Sequence, residues 1–358
     1  MIKFPSIEQF RNVIRNVKQR VSYDGKDENG DPKYKSAYIV PTLKYRGTVK
    51  LHGTNAGVVI DFVNGSAQLS YQSRERELSL IQDNAGFMLT MSALNAELIE
   101  LATAAKTLRT WSELNVSQVI IYGEWCGGNI QKGVAISGLP KMFVIFAVKL
   151  IYDNDEEIRE WVDITQFATY MASREDYFTT KNLFCIANFP TWELEIDFNK
   201  PELTQNKMIE LTEAVEAECP VGKHFGNEGI GEGIVWQCIE DGWTRSDFWF
   251  KVKGEKHSAS KVKTLAAVDV EAVAKMEDFI AATVTEARLE QGLQNLVNEQ
   301  LKPFEMQSLG DFIRWVFNDI LKEETDTIIA NQIESKKIGS AVAQVARKWY
   351  IEKFNERA

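Results

Sequence analysis

Lys44-Tyr45-Arg46-Gly47-Thr48-Val49-Lys50 is a basic, β-rich run that delivers Lys50 into a tight polar turn, Leu51-His52-Gly53-Thr54-Asn55. A second strand, Ala56-Gly57-Val58-Val59-Ile60, follows at once. No other stretch restricts the fold as strongly. A strand end holds an ammonium group rigidly, Gly53 lets the backbone pass close to a neighbour, and Thr54 and Asn55 place short hydrogen-bonding side chains beside it. Such a site can present lysine as a nucleophile. Alone, K-x-x-G equally describes an ordinary hairpin with an exposed lysine, so the rest of the chain has to decide.

A chain of 358 residues suits two domains, each large enough to bury a core. No apolar run approaches the ~18 residues of a membrane helix, and Met1-Ile2-Lys3-Phe4-Pro5 lacks the apolar core of a signal peptide. Cys126, Cys185, Cys219 and Cys238 form no C-x-x-C pair, and the three histidines lack metal-ligand spacing. A zinc site is therefore not expected, and the thiols suit a reducing cytoplasm. The net charge of -10 argues against nonspecific coating of nucleic acid. A local basic strip still runs from Phe248 to Lys263, where Lys251, Lys253, Lys256, Lys261 and Lys263 face only Glu255.

Along the chain, Ile7 to Gln19 has helical spacing of apolar residues, and Tyr23 to Ser36 reads as a polar exposed loop. Asn64-Gly65 marks a turn before a strand at Ala67 to Tyr71. Met88 to Leu108 reads as one helix, and Val116 to Tyr122 and Met142 to Tyr152 as buried strands. Residues 164 to 220 read as mixed helix and loop, with a clear helix at Gln205 to Glu218. Strands follow at Gly233 to Ile239 and Phe248 to Lys253. Beyond about Thr264 strand signals vanish. Val268 to Leu301 suggests one or two helices, with Gly292 a break, and three or four helical segments complete the chain.

Polar clusters sit where the β-rich runs stop or start: Lys50 to Asn55, Arg74, Glu124, Glu232, and Lys251 with Lys253. Strand ends of a twisted antiparallel fold can converge on one groove. Cations facing two carboxylates describe a site for a polyphosphate and a divalent metal, the carboxylates offering hard oxygen ligands to Mg²⁺. Lysine reacts as the free amine, so desolvation, Lys251, Lys253 and a nearby metal are expected to lower the Lys50 pKa. Taken singly, each of these groups could be a solvated charge at a strand end.

In order, Lys50-Leu51-His52-Gly53-Thr54-Asn55, Tyr122-Gly123-Glu124, Glu232-Gly233-Ile234-Val235 and Phe250-Lys251-Val252-Lys253 resemble the covalent nucleotidyltransferase superfamily of ligases and capping enzymes. With His52 where DNA ligases and capping enzymes have Asp, the first motif resembles the RNA ligase 2 family of phage RNA ligases and trypanosome RNA-editing ligases. The resemblance spans about Tyr45 to Glu255. It implies that Lys50 attacks the α-phosphate of ATP to give lysyl-AMP, that Glu124 binds the ribose hydroxyls, and that Phe146 stacks on adenine. Phe143 lies three residues away in the same strand, so the two point to opposite faces and only one can reach the base. The resemblance further implies Glu232 as ligand of Mg²⁺ or Mn²⁺, Lys251 and Lys253 on the AMP phosphate, and Arg74 on an RNA 5'-phosphate. His52, Thr54 and Asn55 would act mainly in the later steps.

The expectation is an α+β protein: an antiparallel-sheet nucleotidyltransferase domain of ATP-grasp-like ligase type over residues 1–263, then a small all-α domain over residues 264–358. It would act as a monomeric, cytoplasmic, ATP-dependent RNA ligase on 3'-hydroxyl and 5'-phosphate ends, above all at nicks in duplex or templated RNA. A phage-encoded protein would work in the host-cell cytoplasm. A DNA ligase or capping guanylyltransferase would share the lysine chemistry but usually carries an OB-fold after the last motif. A noncatalytic RNA-binding protein would tolerate loss of Lys50, Glu232 or Lys251, all of which are present. The helical tail resembles the family's C-terminal domain, yet from Leu265 to Ala358 it carries 11 Lys plus Arg against 16 Asp plus Glu.

Overall fold

The computed structural model describes residues 1–110, 113–153, 155–258, 276–330 and 333–356. It begins with helix α1 (Phe10–Ser22) and a small hairpin, β1 (Tyr23–Lys26) and β2 (Pro32–Tyr34). Next come β3 (Thr42–Lys50), β4 (Thr54–Val63), β5 (Ser66–Ser73), α2 (Phe87–Ser92), α3 (Asn95–Thr107), β6 (Val116–Cys126), β7 (Met142–Tyr152) and β8 (Asp155–Trp161). After α4 (Ile164–Ala172), α5 (Glu175–Thr179), β9 (Leu183–Cys185), β10 (Thr191–Asp197), α6 (Gln205–Ala217) and α7 (Pro220–His224), the chain forms β11 (Gly233–Cys238) and β12 (Phe250–Lys253). The helices α8 (Met276–Thr283), α9 (Glu286–Gln294), α10 (Leu309–Glu323), α11 (Thr325–Ala330) and α12 (Ser335–Asn355) follow.

Two compact units result, and neither is continuous in sequence. One contains Met1–Glu8, Pro41–Asp197 and Lys207–Val252; the other contains Gln9–Val40, Phe198–Asn206 and Lys253–Ala358.

The first unit holds two sheets. One has the order β10-β3-β11-β12; the other has the order β5-β4-β6-β7-β8, with β9 parallel to β7. The antiparallel register sets Gly233 opposite Lys50 and Asn55 opposite Glu124. It thereby brings the start of β11 to the end of β3, and the start of β4 to the end of β6. Tyr45, Trp236 and Phe250 pack on one face of the smaller sheet, with the Phe250 ring 5.3 Å from Tyr45 and 6.3 Å from Trp236. Strand alternation then turns Lys50 and Lys251 to the opposite face. In the larger sheet Tyr122 pairs with Ala147 but Gly123 pairs with Ile145, so Phe146 is an extra, unpaired residue in a β-bulge.

The second unit buries Phe279, Leu296, Phe312, Val316, Val342 and Tyr350 at the centre of its helical core. Helix α1 belongs to this unit, with Phe10, Val13, Ile14 and Val17 buried along one stripe. Arg11 donates to the Glu323 carbonyl at 2.6 Å and pairs with the fully buried Glu324 at 3.2 Å. Arg288, itself fully buried, pairs with Asp319 at 2.8 Å and Glu323 at 2.9 Å and donates to the Thr283 carbonyl at 2.5 Å.

The α+β class with antiparallel sheets and a helical C-terminal region is as expected. Several details differ. Tyr23 to Ser36 contains the β1–β2 hairpin, whose strands are exposed and so lack the apolar alternation that marks a half-buried strand. Met88 to Leu108 is two helices, because Ala93 and Leu94 interrupt the run, and the side-chain Oδ1 of Asn95, which starts the second, accepts from the Tyr71 hydroxyl. Gly292 lies within α9 and faces Phe312, Trp315 and Val316, each 3.0 Å from where a Cβ would stand, so it permits close packing rather than a break. Lys261, Lys263, the expected helix start at Val268 and the boundary between residues 263 and 264 lie outside the described residues.

Candidate active site

Four strand termini of the first unit build the site. Lys50 ends β3, and its Nζ donates to Glu232 Oε2 at 2.7 Å and to its neighbour's carbonyl, Leu51 O, at 3.3 Å. Glu232 precedes β11, is 2% exposed, and through the same oxygen lies 3.4 Å from His52 Nδ1. The buried carboxylate oxygen thus faces two side-chain nitrogens. The Lys50 Nζ is thus engaged as a hydrogen-bond donor on two sides.

Glu124 approaches from β6 in the other sheet. Its Oε1 accepts from the Gly53 N–H at 2.8 Å and so fixes the turn after Lys50. Desolvation of the Glu124 carboxyl raises its pKa above the usual value; Lys50 opposes the shift, Glu232 adds to it, and the Gly53 N–H opposes it. Only glycine fits at position 53, where a Cβ would stand 2.4 Å from the Trp125 carbonyl oxygen and 2.7 Å from Cys126 Cβ. Thr54 Oγ1 accepts from Asn84 Nδ2 at 3.0 Å. Asn84 is 2% exposed and was not singled out in the sequence, although Asp83-Asn84-Ala85-Gly86 is a visible polar punctuation. Asp83 anchors that turn, its carboxylate accepting from the Met88 N–H at 2.8 Å and the Leu89 N–H at 3.0 Å.

The remaining residues are placed as follows. Arg74 follows β5, whose Ser73 is opposite Ala56, so it emerges level with Asn55. Its Nη2 lies 3.4 Å from Ser6 Oγ, and its Nε 3.9 Å from Glu75. Lys251 lies on the Lys50 face of the smaller sheet, and Lys253 ends the same strand. Phe143 is fully buried, with its ring 5.0 Å from Phe87 on the face of Trp125. Phe146 instead packs with Tyr122, which shares a face of β6 with Glu124. Of the two phenylalanines, Phe146 is on the side of the polar cluster.

Among the described residues no group of three or more His, Cys, Asp or Glu has a metal-binding arrangement. A cation that keeps most of its water and shares phosphate oxygens needs only one or two carboxylates, and the buried Glu232 fits that requirement. A cleft of about 910 Å³ in the same unit is lined by Arg46, Lys149, Trp161, Asp163, Arg245 and Trp249, and by none of the cluster's residues. The chemistry, not the size of the cleft, therefore locates the site. No helix among the described residues is long and apolar enough to cross a membrane.

A lysine at a strand end, hydrogen-bonded to one carboxylate and flanked by a second from the facing sheet, is a group that can serve as a nucleophile. The family model described as RNA ligase matches residues 43–253, more than half of the chain, and the chain belongs to the RNA ligase family. Among solved structures, a Naegleria gruberi RNA ligase mutant with ATP and Mn is similar at 14% identity and a TM-score of 0.41 over 71% of this chain and 57% of that one. The Naegleria gruberi RNA ligase with PPi is similar at 16% identity and a TM-score of 0.40, over 71% of this chain and 56% of that one. The chain thus spans less than two thirds of the length of these structures. No curated protein matches it.

Proposed function

We propose that the protein is an ATP-dependent RNA ligase that works through a lysyl-AMP on Lys50. The observation that carries this reading is the Lys50–Glu232 hydrogen bond of 2.7 Å, made where the two sheets present a lysine, a buried carboxylate and Glu124 together. The Lys50 amine forms a bond to the α-phosphorus of ATP as the bond to the β-phosphate oxygen breaks and pyrophosphate leaves. An oxygen of the RNA 5'-phosphate then takes the AMP from Lys50, and a 3'-hydroxyl displaces AMP to form the phosphodiester.

Glu124 accepts from the ribose hydroxyls, Phe146 stacks on the base, and Lys251 and Lys253 neutralise the phosphate oxygens as charge builds. Arg74 engages the 5'-phosphate. His52, Thr54 and Asn55 orient the groups of the second and third steps, where a neutral amide beside the hydroxyl positions it without added charge. A divalent ion held by Glu232 supplies Lewis-acid stabilisation of the phosphates.

The preferred ends are nicks in duplex or templated RNA, joined by a monomer in the cytoplasm. The helical unit, acidic over its C-terminal part, assists in holding the duplex. Intact-protein mass after incubation with a divalent ion and ATP, GTP or NAD⁺ tests the first step. Wild type is expected to gain about 329 Da, one AMP, with ATP alone, and Lys50→Ala none. A GMP adduct would indicate capping chemistry, and no adduct would leave an RNA-binding protein. Sealing of nicked RNA duplexes, RNA on DNA templates and single strands then tests the substrate geometry.

A further inference from the structure

Residues 2–8 join the two sheets of the first unit across the candidate site. At one end the Ile2 carbonyl accepts from the Tyr122 hydroxyl at 2.9 Å and from Gln72 Nε2 at 2.7 Å, so it is fixed to β6 and β5. At the other end Glu8 bridges in parallel to Phe250: its N–H donates to the Trp249 carbonyl at 3.2 Å, and its carbonyl accepts from the Lys251 N–H at 3.0 Å. Between these anchors Phe4, 8% exposed, inserts among Tyr122, Phe146, Trp161 and Trp249. Its ring meets that of Phe146 edge-on, at 4.9 Å and 64°.

Phe146 is the unpaired residue of the β7 bulge, so no ladder partner fixes its direction. A ring in that position needs side-chain neighbours to present a constant face, and beside Tyr122 the ring that meets it edge-on, Phe4, comes from the N-terminal strap. An edge-on neighbour is a favoured aromatic geometry.

We propose that Phe4 is a positioning residue for nucleotide recognition: the strap holds Phe146 in the orientation that receives the base. This rests on the reading of Phe146 as the stacking residue of an ATP site. Phe4 touches no reacting atom. Its effect travels through Phe146 and is therefore confined to ligands that carry a base.

The test is calorimetric binding of ATP and of inorganic tripolyphosphate to wild type, Phe4→Ala, Phe4→Leu, Phe146→Ala and the Phe4→Ala/Phe146→Ala double variant. Phe4→Ala is expected to weaken ATP by about fivefold or more while leaving tripolyphosphate unchanged, with Phe4→Leu intermediate. The double variant should bind ATP no more weakly than Phe146→Ala, because the two residues form one chain of action. Unchanged ATP binding in Phe4→Ala, equal loss of both ligands, or additive losses in the double variant would each overturn the proposal. If wild type binds ATP and forms the Lys50 adduct while Phe4→Ala behaves as wild type, only the role of the strap falls. If wild type binds no ATP, the ligase reading falls and the strap proposal with it.

Discussion

One carboxylate oxygen, Oε2 of Glu232, lies 2.7 Å from Lys50 Nζ and 3.4 Å from His52 Nδ1. Lys50 and His52 thus share one oxygen, which the proposed reaction would give to a divalent ion. Replacing Glu232 with Gln removes the charge that holds the ammonium. Acylation of Lys50 by an amine-specific reagent, followed by peptide mapping, is expected to rise about tenfold in Glu232→Gln, the equivalent of one charge-assisted hydrogen bond. Mg²⁺ should raise the same reactivity in wild type and leave the variant unchanged. Equal labelling in all four conditions would mean that the pair does not control the amine.

Glu124 leads to a dependence on pH. Burial raises its folded pKa, so below the ordinary carboxyl range both folded and unfolded chains are protonated and there is no penalty. As pH climbs through the interval between the unfolded and folded pKa values, the unfolded chain releases its proton first and stability falls. Glu124→Gln, which can still accept from the Gly53 N–H, is therefore expected to melt ~1–3 °C above wild type at pH 8 and level with it at pH 4. Calorimetric melts at the two pH values check this, and a variant less stable at pH 8 would reverse the sign.

Gly53→Ala should act through volume alone. Its methyl would overlap the Trp125 carbonyl oxygen at 2.4 Å, and backbone cannot rotate away as a flexible side chain can. A loss of about 1–3 kcal/mol in urea unfolding is expected, with the Gly53–Glu124 hydrogen bond lengthened and nucleotide affinity reduced. Gly65→Ala is the control for backbone strain, since Gly65 has φ +77° but nothing within 4 Å of its Cβ position.

Arg288→Ala removes the buried guanidinium that pairs with Asp319 and Glu323 and lies 3.8 Å from the fully buried Glu324. Removing one member of a buried ionic cluster costs about 3–5 kcal/mol, more than an exposed pair would. Circular dichroism during denaturant titration should show an earlier loss of helix, whereas Lys337→Ala, which breaks the exposed pair with Glu334, should move the midpoint little.

The site was more legible than its surroundings because strand ends leave a one-dimensional trace. Lys50, Glu124 and Glu232 each stand beside a β-branched run, and antiparallel register then brings two of those ends together without further information. The Phe143 and Phe146 alternatives separated only with contacts in hand, since the bulge that frees Phe146 has no sequence signature. Strand β10 is a different miss: Trp192, Leu194 and Ile196 alternate with Glu193, Glu195 and Asp197, a period of two that was readable but lay in a stretch read as helix and loop. The partnership of Arg11 with Glu324 was beyond reach for a physical reason. Local pattern identifies an amphipathic stripe but carries no record of what covers it.

That partnership also has a consequence in time. Arg11 and Glu324 are 313 positions apart, and a ribosome adding ~5–20 residues each second needs on the order of 15–60 s to pass from one to the other. Throughout that interval Arg11 stands outside the exit tunnel without the acceptors that Glu323, Glu324 and Thr327 later supply, although Phe198, which packs on Phe10, is made long before them. The first ion pair of the helical unit in chain order is thus among the last that synthesis permits.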